Sequence, residues 1–211
     1  MVEAKICGIT DANGLDAALS GGARFIGLVF HAKSPRNLNI EVASALAAQA
    51  RGRADIVAVT VNATDEALYR LQANLKPDWI QAHGAESPRR VGEMRKFAGK
   101  GIIKALALAR GEDLAQAVAY DQAADMLLFD SKAPPEADRP GGNALAFDWA
   151  ILSGRRFSRP WMLSGGLTPQ NVAEAIRISG AALVDVSSGV EASPGLKDPT
   201  RIAAFLGAVR T

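Results

Sequence analysis

Apolar residues recur along this chain in short runs separated by stretches of helical period. The runs are Ala4–Cys7, Phe25–Phe30, Ile56–Val61, Trp79–Gln81, Ile102–Leu106, Met126–Asp130, Trp161–Ser164 and Leu183–Val186. Most are rich in Val, Ile and Leu and none holds an internal proline, the pattern of strands buried on both faces. The intervening stretches carry helix signals. Ile40, Ala43, Ala47 and Ala50 share one face of Ile40–Arg51, with Leu46 beside them. Ser87-Pro88, Thr168-Pro169 and Asp198-Pro199 each offer an N-cap followed by proline at the first helical position. Val172, Ala173 and Ile176 then recur at helical spacing before Gly180 as a C-cap, and Ile202, Phe205, Leu206 and Val209 form the apolar face of the last helix.

Eight strand–helix repeats in 211 residues have one economical closed solution, an α/β fold of the (β/α)8 (TIM) barrel type, with eight parallel strands ringed by helices. An open doubly wound sheet is the rival, weakened because no G-x-G-x-x-G follows the first strand. No shift of composition marks a boundary, so residues 1–211 are expected to form a single domain. Ser131–Asn143, the one long Pro/Gly-rich stretch, reads as a mobile loop after strand 6. Barrels of this kind place chemistry at the C-terminal ends of their strands. Here those ends carry Cys7, His31–Arg36, Asn62, Gln81–Gly84, Asp130, Ser164–Gly166 and Asp185–Gly189.

Composition narrows the picture. The net charge is only +2, without a dense basic run, so no nucleic-acid partner is expected; Arg89-Arg90 and Arg155-Arg156 read as solvated surface. The apolar runs are too short to span a bilayer and no signal-peptide pattern opens the chain, so neither membrane nor export is expected. Cys7 is the only cysteine, which forbids an internal disulfide and fits a reducing, cytoplasmic location. With two histidines, one cysteine and no H-x-x-x-H or C-x-x-C, no metal is expected.

Two glycine-rich loops carry the first chemical signal. Ser164-Gly165-Gly166-Leu167-Thr168-Pro169 follows strand 7, and Asp185-Val186-Ser187-Ser188-Gly189 ends strand 8. Loops in these two places are the recurrent phosphate site of the barrel, because glycine lets backbone N–H groups approach closely. Gly165, Gly166, Ser187, Ser188 and Gly189 are therefore candidate ligands of a phosphorylated small molecule; the plainer alternative is tight turns.

The reactive candidates lie at other strand ends. Cys7 is a base if positive potential lies nearby, and otherwise an inert buried thiol. Lys5 shares its strand parity, so it should point into the barrel, where a buried lysine needs a partner. Closure sets strand 8 beside strand 1 and offers Asp185, which at the end of its strand is also a candidate substrate contact. Asp130 follows an apolar run, a setting that can raise a carboxyl pKa and suit a general acid; the alternative is a loop anchor. Strands 1 and 6 stand on opposite sides of the ring, so Cys7 and Asp130 should face one another. Arg36 can clamp a carboxylate or lie on the surface, and His83 can contact a ligand or anchor its loop.

These segments resemble one family, phosphoribosylanthranilate isomerase of tryptophan biosynthesis. The resemblance runs the length of the chain through Lys5-Ile6-Cys7-Gly8-Ile9-Thr10, Ser34-Pro35-Arg36, Gln81-Ala82-His83-Gly84 and Leu127-Leu128-Phe129-Asp130-Ser131. It continues through Gly165-Gly166-Leu167-Thr168-Pro169-Gln170-Asn171-Val172, Val184-Asp185-Val186-Ser187-Ser188-Gly189-Val190-Glu191 and Pro194-Gly195-Leu196-Lys197-Asp198. It implies an Amadori rearrangement without a cofactor, with Cys7 as base, Asp130 as acid, Arg36 on the anthranilate carboxylate, and the loops after strands 7 and 8 on the phosphate. A monomer or homodimer is expected. The chain departs from the family's pattern at Ala82, where leucine is common, and near Thr60, where phenylalanine is common. It departs again at Gly141-Gly142-Asn143-Ala144, where Gly-Gly-Thr-Gly is usual. The related sugar isomerase of histidine biosynthesis resembles it less, since aspartate stands there in place of Cys7. A barrel that only binds a phosphorylated metabolite is the non-enzymatic alternative.

Overall fold

A computed structural model describes residues 1–132 and 147–210. Eight parallel strands close into a barrel, with β1 hydrogen-bonded to both β2 and β8. They are β1 (Glu3–Cys7), β2 (Phe25–Phe30), β3 (Asp55–Thr60), β4 (Trp79–Ala82), β5 (Gly101–Leu108), β6 (Met126–Ser131), β7 (Trp161–Leu163) and β8 (Leu183–Val186). All eight expected strands are present, with ends shifted by no more than two residues. Around them lie α1 (Ala12–Ser20), α2 (Ile40–Ala50), α3 (Asp65–Asn74), α4 (Pro88–Met94), α5 (Ala115–Tyr120), α6 (Val172–Ser179) and α7 (Pro199–Val209).

Alternation along the strands divides the core in two. Cys7, Val57, Ile103, Leu128 and Met162 belong to a cluster that fills the barrel. Ile6, Ile56, Ile102, Leu127 and Phe129 belong to another, packed beneath the helices. Each large apolar side chain so buried contributes roughly 1.5–3 kcal/mol, and this two-sided burial is why the strands are apolar without interruption. The same parity turns Lys5, Cys7 and Asp130 inward.

Helix starts follow side-chain chemistry. The Ser87 hydroxyl accepts from the Arg90 N–H, and the Asp198 carboxylate accepts from the N–H groups of Thr200 and Arg201. The helix after strand 7 departs from expectation. It begins at Val172, not at Pro169, because the Asn171 carboxamide bends back: its oxygen accepts from the Thr168 N–H at 2.7 Å and its nitrogen donates to the Gly166 carbonyl at 2.9 Å. Its buried face is Val172, Ala175 and Ser179; Ala173 is exposed, one step off that face. Gly180 ends it in the left-handed conformation, as expected (φ +73°).

Two features were not anticipated. Between β6 and β7 the described residues form a 3-10 turn, Trp149–Leu152, where a helix was expected. After β8 the chain makes a short hairpin, β9 (Glu191–Ser193) with β10 (Leu196–Lys197). Most of the loop expected over Ser131–Asn143, and with it the Gly141–Ala144 departure, falls outside the described residues.

Candidate active site

The floor of the site is a buried ion pair. Lys5 Nζ lies 2.9 Å from Asp185 Oδ1, and the Ser164 hydroxyl donates to Asp185 Oδ2 at 3.2 Å. Lys5 faces the barrel interior, with Asp185 as its partner. Burial by itself lowers the lysine pKa, but the Asp185 carboxylate, with a smaller contribution from Cys7, outweighs it and holds Lys5 above the ordinary lysine value. A charged ammonium thus sits one inward position below the thiol. Cys7 is 7 % exposed. A Cβ on Gly27 would lie 2.9 Å from Cys7 Sγ and 3.2 Å from Lys5 Cε, so only glycine lets strand 2 pass so close.

Burial pushes the Cys7 thiol above its ordinary value; the charges of Lys5 and Lys197 oppose this only in part, and Asp185 adds to it. The thiol form therefore dominates near neutrality. Since Cys7 is the only cysteine, its alkylation reports directly on the thiolate. Iodoacetamide should modify the ligand-free protein slowly at pH 7, with a rate rising about tenfold per pH unit up to pH 9. A plateau below pH 8 would show that the thiolate is stabilised even without substrate.

Asp130 is held at the mouth by its own backbone and by His83. The Ser131 N–H donates to Asp130 Oδ1 at 2.9 Å, and His83 Nε2 lies 3.3 Å from Asp130 Oδ2. His83 Nδ1 is 2.6 Å from Gln81 Nε2. If that amide donates, Nδ1 is the acceptor and the proton on Nε2 points at Asp130. His83 therefore stands beside the carboxyl rather than serving only its own loop. That loop is tied down by a network the sequence did not reveal. Lys104 Nζ binds Glu86 at 2.8 Å and the carbonyl of Gly84 at 2.6 Å, while Glu86 accepts from the N–H groups of Asn62 and Gly84.

The two glycine loops meet. Gly165 and Gly166 adopt positive φ (+86° and +67°), and a Cβ on Gly165 would come within 2.6 Å of the Ser131 nitrogen. A Cβ on Gly189 would lie 1.9 Å from the Leu167 carbonyl oxygen, so the missing side chain is what lets the loops after β7 and β8 touch. The N–H groups of Gly165, Gly166, Ser188 and Gly189 make no hydrogen bond to another described residue. They are available to an anion. Ser187 is used differently: its hydroxyl donates to the Cys7 carbonyl at 3.1 Å, tying loop 8 to the end of β1. One cavity is lined by Asp130, Gly165, Gly166, Asp185 and Ser188 together. The expected helix N-terminus at Pro169 does not join them, since α6 starts at Val172.

Arg36 differs most from expectation. It is buried, and its Nε and Nη2 donate to the two oxygens of Glu191 at 2.7 and 2.8 Å. One edge of the guanidinium is thus occupied by the protein. Lys197, also buried, donates to the same Glu191 at 2.7 Å and to the Ser187 carbonyl at 3.0 Å. Burial holds Lys197 below the ordinary lysine value against the opposing pull of Glu191. Glu191 and Lys197 lie in the segments that follow strand 8, but nothing in a short charged stretch shows that both ends turn inward.

Known proteins resemble this chain along its whole length. The model of the family described as N-(5'phosphoribosyl)anthranilate (PRA) isomerase matches residues 4–208. The N-(5'-phosphoribosyl)anthranilate isomerase of Caulobacter sp. (strain K31) is 51% identical over 211 residues, covering all of this chain and 99% of that protein. Among solved structures, phosphoribosyl anthranilate isomerase from Thermotoga maritima superimposes with a TM-score of 0.89 at 32% identity, covering 100% of this chain and 99% of the other. A phosphoribosyl anthranilate isomerase in complex with reduced 1-(o-carboxyphenylamino)-1-deoxyribulose 5-phosphate gives 0.86 at 31%, with 100% and 99% covered.

Proposed function

The chain belongs to the N-(5'-phosphoribosyl)anthranilate isomerase family, and from that premise we propose how its own residues carry out the family's reaction. The activity is the isomerisation of N-(5'-phosphoribosyl)anthranilate to 1-(o-carboxyphenylamino)-1-deoxyribulose 5-phosphate, in tryptophan biosynthesis. Asp130 protonates the ribose ring oxygen. The C1–O bond breaks as the anthranilate nitrogen donates its lone pair, giving a C1=N iminium. Cys7 then removes the C2 proton, and the electrons of that bond form C1=C2 and neutralise the nitrogen. The resulting enolamine becomes the ketone by losing its hydroxyl proton and gaining one at C1, so no atom is gained or lost overall.

This order suits the electrostatics. Burial pushes the thiol up. Ring opening creates a cation next to the carbon that Cys7 deprotonates, and that charge favours the thiolate when it is needed. Lys5 below supplies standing positive potential. The observation that carries this reading is the shared cavity: Asp130 lines the same space as Gly165, Gly166 and Ser188. A phosphate held by those N–H groups and by Gly189 brings the sugar to the carboxyl. His83 orients Asp130, Asp185 and Ser187 brace the floor, and the outer edge of Arg36 receives the anthranilate carboxylate.

All these groups come from one barrel, so residues 1–211 act as a single domain whose site is complete within one chain, as a monomer or in a homodimer. No helix among the described residues is long and apolar enough to cross a membrane. A base that is a lone thiol must stay reduced, and we place the enzyme in the cytoplasm for that reason.

The test follows the loss of phosphoribosylanthranilate fluorescence with wild type and with Asp130→Asn. The wild type should consume the substrate, and the variant should lose about 10²–10⁴ in kcat while still binding the reduced product analogue. An Asp130→Asn enzyme with near-normal kcat would remove Asp130 as the acid.

A further inference from the structure

We propose that Glu191 is a positioning residue that sets the enzyme's selectivity for a carboxylated aromatic amine, by fixing which edge of Arg36 faces the substrate. This rests on the reading of Arg36 as the carboxylate clamp. A guanidinium has two edges that can receive a carboxylate side by side, one from Nε and one terminal nitrogen, the other from the two terminal nitrogens. Glu191 occupies the first, through Nε at 2.7 Å and Nη2 at 2.8 Å. The Nη1/Nη2 edge is left, and Nη1 makes no hydrogen bond among the described residues. The stem of Arg36 is trapped as well: a Cβ on Gly8 would lie 2.4 Å from Arg36 Cδ, so the side chain crosses the residue next to Cys7 with no room to turn. The stem that carries the free edge thus passes over the backbone next to Cys7.

Glu191 is itself fixed from outside the site. It begins the β9–β10 hairpin, which the Thr10 hydroxyl grips through the Gly195 carbonyl at 2.7 Å. A Cβ on Gly195 would lie 2.5 Å from the Pro35 carbonyl oxygen, so the hairpin sits directly on the loop that carries Arg36. Lys197, at the hairpin's other end, shares Glu191 with Arg36. Two buried cations with one internal carboxylate leave a positive charge uncompensated, and a second carboxylate at the free edge supplies the balance. An uncharged aniline in the same place would leave it uncompensated.

The experiment compares wild type, Arg36→Met, Glu191→Gln and the double variant. Inhibition constants are measured for the reduced product analogue and for its counterpart lacking the ring carboxylate, with kcat and KM for the substrate. Glu191→Gln should raise KM and the inhibition constant of the carboxylated analogue about tenfold, the scale of one charge-assisted hydrogen bond, with kcat within about threefold. It should leave the carboxylate-free analogue unaffected. Added to Arg36→Met it should do no further harm, because its effect runs through Arg36. Equal weakening of both analogues, or additive effects in the double variant, would overturn the proposal and make Glu191 a structural residue only. If Arg36→Met alone leaves the preference for the carboxylated analogue intact, the clamp itself is misassigned and the role of Glu191 falls with it. Should Glu191→Gln not fold, Glu191→Asp keeps the charge but withdraws it by one methylene; unchanged preference in that variant also overturns the proposal.

Discussion

Replacing Cys7 with alanine should lower kcat by about a thousandfold, while the variant folds normally and binds the reduced product analogue within a few-fold of wild type. The size of the loss follows from the surroundings. Cys7 is nearly sealed from solvent, and strand 2 approaches it through Gly27 without a side chain. Removing the sulfur leaves a small gap under the substrate with no other described base at that face of the sugar; Asp185 is already engaged by Lys5 and Ser164. Binding should survive, because the proposed contacts to the phosphate and the carboxylate come from other groups. Single-turnover measurement with saturating substrate separates the two effects. A Cys7→Ala enzyme with kcat within tenfold of wild type would end the assignment of Cys7 as the base. A large kcat loss accompanied by equal loss of analogue binding would show that the thiol shapes the site rather than moving a proton.

The second large effect concerns stability. Lys5→Met should destabilise the chain by about 3–5 kcal/mol, because it leaves the Asp185 carboxylate buried with only a serine hydroxyl for company. For a chain of this size that corresponds to a fall in Tm on the order of 10 °C. Adding Asp185→Leu to the same protein should recover most of the lost stability, since a buried pair exchanged for well-packed apolar groups costs little. Activity should not return with it. Lys5 is the fixed charge that opposes the effect of burial on Cys7, so the restored protein should still be impaired in kcat and should show its alkaline rate limb moved upward. Thermal unfolding and pH–rate profiles on wild type, Lys5→Met and the double variant check both statements. If the double variant regains wild-type kcat, Lys5 is there for the core alone.

Much of this was legible because each inference needed only local information. Eight apolar runs of strand length, separated by capped helical stretches, leave few ways to bury every strand on both faces, and closure is the economical one. Period-two parity then turned Lys5, Cys7 and Asp130 inward, and closure set Asp185 beside Lys5, as the 2.9 Å contact has it. Glycines at the ends of β7 and β8 marked loops able to approach an anion.

The rest depends on segments far apart in sequence, and patterning carries no signal for it. Glu191 and Lys197 look like ordinary charges on a short exposed stretch until the hairpin folds back over the loop of Arg36, 155 residues away from Glu191. Glu86 and Lys104 look equally ordinary until strand 5 runs beside the loop after strand 4. Asn171 shifts the start of α6 because its carboxamide finds Gly166 and Thr168 in space, a competition that a capping rule based on Thr168-Pro169 does not contain. By itself, then, the sequence determined the barrel and the inward sense of Lys5, Cys7 and Asp130, and it offered the last two as candidate proton carriers, because hydrophobic periodicity and strand ends are properties of neighbours along the chain. Only the tertiary structure decided how the buried charges are paired and which edge of Arg36 is free. Those outcomes are set by desolvation, which forces each ion to take whatever partner the fold brings within reach.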